Sequence, residues 1–462
     1  MLLLLTSIAV AQQPITISNI EPRLDAQGQI IDAHDGRVIQ FGEKFYWYGT
    51  RYGDTSGFTT ANTYVCYSST NMQTWSYEGE LLANAPAGVY YRPHVVYHQK
   101  RKRYVLWYNW YPKLWEGQFG VAESKSPTGP FKIVNADVQV KHSEIGVGDF
   151  GLFVDDDQTA YLTYNTIQGH RVSAERLSPD YRSSAMENGG FIAEHCEAGS
   201  MFKRNGKYYI LTDYTCCFCG EGSGARVYIS DNPLTGYQQY GNINRYPGRP
   251  TPQLTDGQFS AFNTVELKSG EGVLVQAGEA VSSLTLTLAW ANYRTHCQPD
   301  NTELQHPKDI TPQFSLHQGE ARIEPQEVRV ENQYNRLVLH YRFPEPLPGS
   351  FTVQLDTAVY LPLKVAELAL HTTGGASVQA QAYKTGGQPV IIPAQQTHIM
   401  QLLTPEGYAY SWMGDLWGSR PDNVKGHDQQ YWSAPLKFNA DGTIQQLEWT
   451  DRWSITVLPQ KP

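Results

Sequence analysis

The sequence predicts an all-β protein, a β-propeller with a small β-sandwich inserted ahead of its last blade. Three observations predict it. Aromatic hairpins recur, with second strands beginning near Tyr46, Tyr104, Ala160 and Tyr208, in steps of 58, 56 and 48 residues. A period of about fifty, with three or four short strands per unit, marks a propeller, whose units bury too little alone and share a core as a ring. The composition agrees, because 30 Tyr, 11 Trp and 40 Gly among 462 residues suit strands, turns and an aromatic-lined cleft. Then the period breaks. The next strand with the same ornament is Tyr408-Ala-Tyr-Ser-Trp-Met-Gly-Asp, 200 residues further on, so something is inserted before it.

Residues 1–11 form a short apolar run, Met1-Leu-Leu-Leu-Leu, ending on Ala9-Val10-Ala11. No Lys or Arg precedes it. The small-residue ending still predicts an export signal in preference to a buried strand, and hence a periplasmic or secreted chain. Residues 14–32 are a polar lead-in. The first unit pairs Val38-Ile-Gln-Phe41 with Phe45-Tyr-Trp-Tyr-Gly49 and adds Thr63–Ser69. The second pairs His94-Val-Val-Tyr97 with Tyr104–Tyr108, and the third pairs Gly151–Val154 with Ala160–Tyr164. In the fourth, Asn205-Gly206 is a two-residue turn between Met201–Lys203 and Tyr208–Thr212.

Residues 30–265 therefore hold four blades and a candidate start of the fifth, since Phe262–Leu267 and Gly272–Gln276 also read as a blade-type hairpin. Residues 280–390 alternate polar and apolar without the aromatic ornament, as in Arg336–Tyr341 and Phe351–Leu355, divided by Pro344, Pro346 and Pro348. That pattern predicts the sandwich. Residues 392–457 predict the last blade, with a final hairpin at Pro435–Ile444 and ring closure helped by Ile15–Ile20.

The formal net charge of -9 argues against a nucleic-acid partner and is compatible with a neutral sugar polymer. Beyond the first dozen residues nothing is apolar for long enough to predict a membrane span. Six cysteines are present: Cys66, Cys196, Cys216, Cys217, Cys219 and Cys297. The Cys216-Cys217-Phe218-Cys219 cluster lacks the second pair that a zinc site needs. A disulfide from Cys196 to this cluster and plain buried thiols both remain open.

Three acids stand just before the first strand of a unit: Asp35, Asp149 and Glu197. In a propeller the innermost strands line the axis and start at one face, so these acids should meet in one pocket. Clustered carboxylates repel, which raises at least one pKa. Glycosidic cleavage needs that arrangement, a protonated acid at the leaving oxygen and an ionised base for water. The plainer reading makes Asp35 and Asp149 turn residues and Glu197 a surface residue at a strand end. Asp155-Asp156-Asp157 reads as a solvated turn, since a calcium loop would need alternating ligands and a terminal Glu.

These motifs resemble glycoside hydrolase family 43, the five-bladed propeller enzymes of arabinan, xylan and galactan side chains. Ala33-His34-Asp35-Gly36 is similar to the family's first-blade motif, Gly148-Asp149-Phe150-Gly151 to its third-blade motif and Glu197-Ala-Gly-Ser-Met-Phe-Lys to its acid motif. Met413-Gly-Asp-Leu-Trp and Gly426-His-Asp-Gln-Gln-Tyr-Trp resemble the last blade of the branch containing exo-β-1,3-galactanases. The resemblance covers 30–260 and 392–455. It implies an inverting glycosidase releasing galactose, arabinose or xylose, with Asp35 as base, Asp149 positioning the acid and Glu197 as acid.

Trp47, Arg92, Trp107 and Tyr214 are then candidates for sugar contacts. Each of the aromatics also reads as core. His34 and His427 each precede an Asp. His34 is a candidate substrate contact, and the resemblance puts His427 near the axis, where some members hold a calcium or sodium ion. No cofactor is required.

Two departures stand out. In the galactanase branch the first-blade position is often not Asp, and a last-blade Gln handles water; here Asp35 is present, and Gln395 and Gln396 precede the last blade. A Glu commonly found before Arg-Pro in blade two is Tyr91 here. The competing readings are a catalytically silent carbohydrate-binding propeller and a structural or protein-binding propeller; the three intact acids favour the enzyme.

Overall fold

The computed structural model describes residues 14–460 except 56, 83, 114, 215–217, 219, 221, 246–248, 261–263, 290, 295–301, 306–311, 320, 358, 360–361, 387–389, 421 and 423. The expected signal at 1–11 and the cysteines 216, 217, 219 and 297 lie outside the described residues. Cys66 and Cys196 are buried free thiols. Among the described residues no helix is long and apolar enough to cross a membrane.

The chain divides into two compact units, one running to Arg245 and resuming at Val390, the other Tyr246–Pro389. Among the described residues, besides a two-stranded pair made by the chain ends, the first holds five antiparallel sheets in chain order, four of four strands and one of three. Each opens with an inner strand: His34–Phe41, Val89–His98, Val147–Val154, Cys196–Arg204 and Gln395–Thr404. The second strands follow directly, at Lys44–Arg51, Arg103–Tyr111, Ala160–Thr166, Lys207–Tyr214 and Gly407–Leu416. These are the aromatic segments whose spacing predicts the ring.

Strand alternation explains how five thin sheets make one body. Successive side chains point to opposite faces. In Lys44–Arg51, Tyr46 and Tyr48 enter a core with Val95, Leu106 and Tyr108 of the second blade. Phe45 and Trp47 enter another with Met400, Met413 and Trp432 of the fifth. Three more cores join blades two and three, three and four, and four and five. The aromatic alternation is thus needed twice per strand, once for each neighbour.

The ring is tied at its seam by the chain ends. Ile15–Ser18 pairs antiparallel with Arg452–Ile455. Asn19 then takes the place of a missing fourth strand beside Gln429–Trp432. Its Nδ2 donates to the carbonyls of Trp432 and Thr450, both at 2.9 Å, and its Oδ1 accepts from the Trp432 N–H at 3.0 Å.

The second unit has a six-stranded and a five-stranded antiparallel sheet. Leu286, Leu339 and Leu368 of one sheet and Val275, Leu316 and Val353 of the other pool into a single core. Val265–Leu267 pairs with Leu363–His371, and Gly272–Ala277 with Ser350–Leu355 and Ala380–Thr385. The stretch that also reads as a blade hairpin therefore belongs to this unit. Its two strands find distant partners instead of each other, and the unit begins well before residue 280.

Asn19→Ala removes three hydrogen bonds at the seam, two of them buried. It should destabilise the protein by about 2–4 kcal/mol, read as a lowered midpoint in urea unfolding. An unchanged midpoint would mean the seam is held by the strand pair alone.

Candidate active site

All five inner strands lose register near their first residues, at the same face of the ring. The breaks fall between His34 and Arg37, Tyr91 and His94, Val147 and Phe150, Glu197 and Ser200, and Gln396 and His398. A bulge leaves residues unpaired and re-aims their side chains. Asp35, Arg92 and Ala198 take positive φ of 52°, 52° and 53° in these bulges. Gly36 follows Asp35 because a Cβ there would lie 2.4 Å from the Ala33 carbonyl and from Trp47 Nε1.

The bulges aim Asp35, Arg92, Asp149 and Glu197 into one narrow pocket of about 70 Å³. Its walls are aromatic, with Phe58, Tyr91, Trp115 and Phe218 among them. Arg92, 2% exposed, holds the acids together. Its Nε lies 2.7 Å from Asp149 Oδ1, one terminal nitrogen 4.0 Å from Asp35 Oδ1, and the other donates to the Gln396 carbonyl at 3.2 Å. Burial alone would lower the Arg92 pKa; Asp149, Asp35, Asp213 and Glu197 outweigh it and raise it.

Asp35 is fixed from two sides. Tyr52 donates its hydroxyl to Oδ2 at 2.6 Å, and the Asp35 N–H donates to Asp415 Oδ2 at 2.7 Å. Burial pushes the Asp35 carboxyl up to about 6; Arg92 pulls it down, while Asp415 and Asp149 push it up. Glu197 is 6% exposed, with its Oε1 3.1 Å from His170 Nδ1. Burial raises its pKa, His170 opposes that, and the charge on Asp149 adds to it. Asp213 sits across the hairpin from Glu197, accepts the Glu197 N–H at 3.2 Å and is fully buried. Burial drives its carboxyl well above the usual range, with the Glu197 charge adding to it.

Sequence reasoning missed Tyr52, His170, Asp213 and Asp415. Only Asp415 stood in a quoted motif.

The other candidates divide. Gln395 lines the pocket, its Oε1 accepting from Trp417 Nε1 at 2.8 Å. Gln396 is spent on structure, donating to the Ala198 and Leu211 carbonyls and accepting from Trp412 Nε1. His34 lies beneath the pocket, fully buried, with Nδ1 3.3 Å from Asp415 Oδ1. Burial resists its charging, but Asp415 and Asp32 outweigh burial and raise its pKa to about 9. It contacts Asp415 and is not among the residues that line the pocket. Trp47 and Trp107 are 0% exposed within inter-blade cores, so neither can touch a sugar. The Tyr214 side chain lies outside the described residues.

His427 is on the short turn Lys425–His427, 37% exposed, with Nδ1 2.8 Å from Asp422 Oδ2. Across the ring Arg37 supplies a cation of its own. Its guanidinium donates to the carbonyls of Asp35, Pro93 and Phe150, one from each of three blades. Burial, with the Arg37 charge, holds His94 and His398 well below the usual histidine range. Carbonyls already turned to a guanidinium do not fit a second cation. Among the described residues no group of three His, Cys, Asp or Glu is placed to hold a metal.

A five-bladed ring whose inner strands deliver three acids and a guanidinium into one narrow pocket defines a propeller-type glycoside hydrolase. The family model for glycosyl hydrolases family 43 matches residues 30–268, more than half of the chain. The chain belongs to that family. Its fold resembles an exo-β-1,3-galactanase from Clostridium thermocellum, at 19% identity and a TM-score of 0.56, over 97% of this chain and 68% of that one. It also resembles a family-43 β-1,3-galactosidase solved with galactodeoxynojirimycin, at 18% identity and a TM-score of 0.55, over 95% of this chain and 99% of that one. Comparison with curated proteins gives no match.

Arg92→Met leaves Asp149 and Asp35 without their cation. Breaking a buried pair from one side costs about 3–5 kcal/mol. The expected outcome is a soluble but markedly less stable protein in urea unfolding, and Arg92→Met/Asp149→Asn should recover part of the loss. No recovery would mean that Arg92 acts through packing alone.

Proposed function

We propose that the protein is an exported, inverting glycoside hydrolase that removes one terminal sugar at a time from plant-type polysaccharide. The carrying observation is the meeting of Asp35 and Glu197, both with raised pKa, in one pocket with Asp149. Glu197 is the general acid. Burial favours its protonated form, and the charge on Asp149 adds to that. Asp35 is the base, with Oδ2 fixed by Tyr52 and Oδ1 left to orient water. Inversion requires the two carboxyl groups to stand far enough apart for that water.

The narrow, aromatic-walled pocket supports exo action. Galactose is the favoured unit, on the fold likeness to a galactanase and a galactosidase. Arabinofuranose and xylose stay in the test because Tyr91 lines the pocket at the place noted above. Work outside the cytoplasm rests on the apolar run ending Ala9-Val10-Ala11.

A panel of nitrophenyl β-D-galactoside, α-L-arabinofuranoside and β-D-xyloside, with matching disaccharides, tests this reading. One glycone should be released. Glu197→Gln should lose about 10²–10⁴-fold on the disaccharide and less on the nitrophenyl glycoside, whose leaving group needs little protonation. Asp35→Asn should lose on both. Silence on every glycoside, and on arabinogalactan and arabinoxylan, would turn the assignment to a binding propeller.

The pH profile of kcat/KM should be a bell. Its acid limb should fall near 6, where Asp35 must ionise, and its alkaline limb at the raised pKa of Glu197, where the acid loses its proton. His170 favours the ionised form of Glu197, so His170→Ala should move the alkaline limb to higher pH. A limb that moves down, or stays, would separate His170 from the acid.

A further inference from the structure

A second cavity opens beside the pocket, between blades two and three. It is a groove of about 490 Å³, within the usual range for ligand sites. It shares two walls with the pocket, Trp115 and Ile167. Trp115 is held at a φ of 67°, a conformation that is costly for a bulky side chain. It is 42% exposed, and its ring sits 6.0 Å from Phe58 of the pocket wall. An indole kept half in the open at the junction of two cavities suits stacking on the C–H face of a sugar ring.

The rest of the groove is built for hydroxyl groups. Gln118, Gln139 and Gln168 offer amides and Asp137 and Glu144 offer carboxylates, while the Glu116 carboxylate at the rim lies 3.6 Å from Lys113 Nζ. Gln139 Nε2 donates to Asp137 Oδ1 at 2.8 Å, a contact between two exposed side chains. Among the described residues that line it there is no Lys, Arg or His. A lining of amides and acids without a cation can bind neutral polyols and repels anions.

We infer that this groove is a second glycan-binding site, which takes uncharged sugar residues of the substrate beyond the unit held in the pocket and turns away chains bearing uronate or sulfate. The inference rests on the glycosidase reading of the pocket. It explains how a pocket for one sugar can act on a polymer, since the groove adds contacts that a monosaccharide cannot make.

The test uses the full chain, an aryl monoglycoside and neutral oligosaccharides of two to four units of whichever sugar is released. The monoglycoside reports the pocket alone. kcat/KM should rise with oligosaccharide length, mainly through KM. Asp137→Ala/Gln139→Ala should remove roughly tenfold of that gain, as expected for one or two lost hydrogen bonds, and spare the monoglycoside. Asp137→Lys/Glu144→Lys should admit a uronate-capped oligosaccharide that the parent rejects. Turnover independent of length, with both variants unchanged, would overturn the groove and leave the pocket reading intact. If no glycoside is cleaved, the pocket reading falls by itself. Calorimetry of Glu197→Gln protein with neutral galacto-oligosaccharides then decides the groove. Binding that the double alanine variant abolishes supports it; no binding, or binding that this variant leaves intact, overturns it.

Discussion

One buried guanidinium makes the pocket tenable. Arg92 bridges toward two carboxylates that would otherwise face each other out of water, and it is anchored to the last blade through the Gln396 carbonyl. Charges at such separations in a poorly solvated site interact by several kcal/mol, so the acids need a fixed counter-charge. Arg92 brings one while belonging to neither acid's strand. It also differentiates the acids. Asp149, bonded to it directly, is the anchored partner, while burial drives Asp35 and Glu197 toward protonation.

The guanidinium reaches its place because regular β-structure fails at one face of the ring. Five inner strands each slip out of register near their first residues, and three of the residues freed there take positive φ. Arg37 ties the failure together from below, bonding the carbonyls of Asp35, Pro93 and Phe150. Strain at the mouth is thus offset by a ring of fixed hydrogen bonds and by five inter-blade cores behind it.

The ring was legible because aromatic hairpins must repeat to fill inter-blade cores, and their period survives in the sequence. The acids were legible because each stands at the start of an inner strand, though the structure puts them within the strand's first residues and not ahead of it. The bulges were not. Counted back from the Asn205-Gly206 turn, an unbroken ladder pairs Glu197 with Tyr214; the bulge moves the partner to Asp213, a residue sequence reasoning passed over. Trp47 and Trp107 misled for the opposite reason. An aromatic in a second strand looks the same in sequence whether it faces a cleft or a neighbouring blade, and here both face blades. Residues 265–277 misled by length, since strands this short do not declare their distant partners.

The central claim is that Asp35 delivers water to the face of the sugar opposite Glu197. The anomeric configuration of the first product, followed by proton NMR within the first minutes of reaction, tests it most directly. Two carboxyl groups spaced for a water give the inverted anomer first, with the other appearing only by mutarotation. A first product of retained configuration would mean that one carboxylate attacks the sugar itself, and would contradict the roles assigned to both.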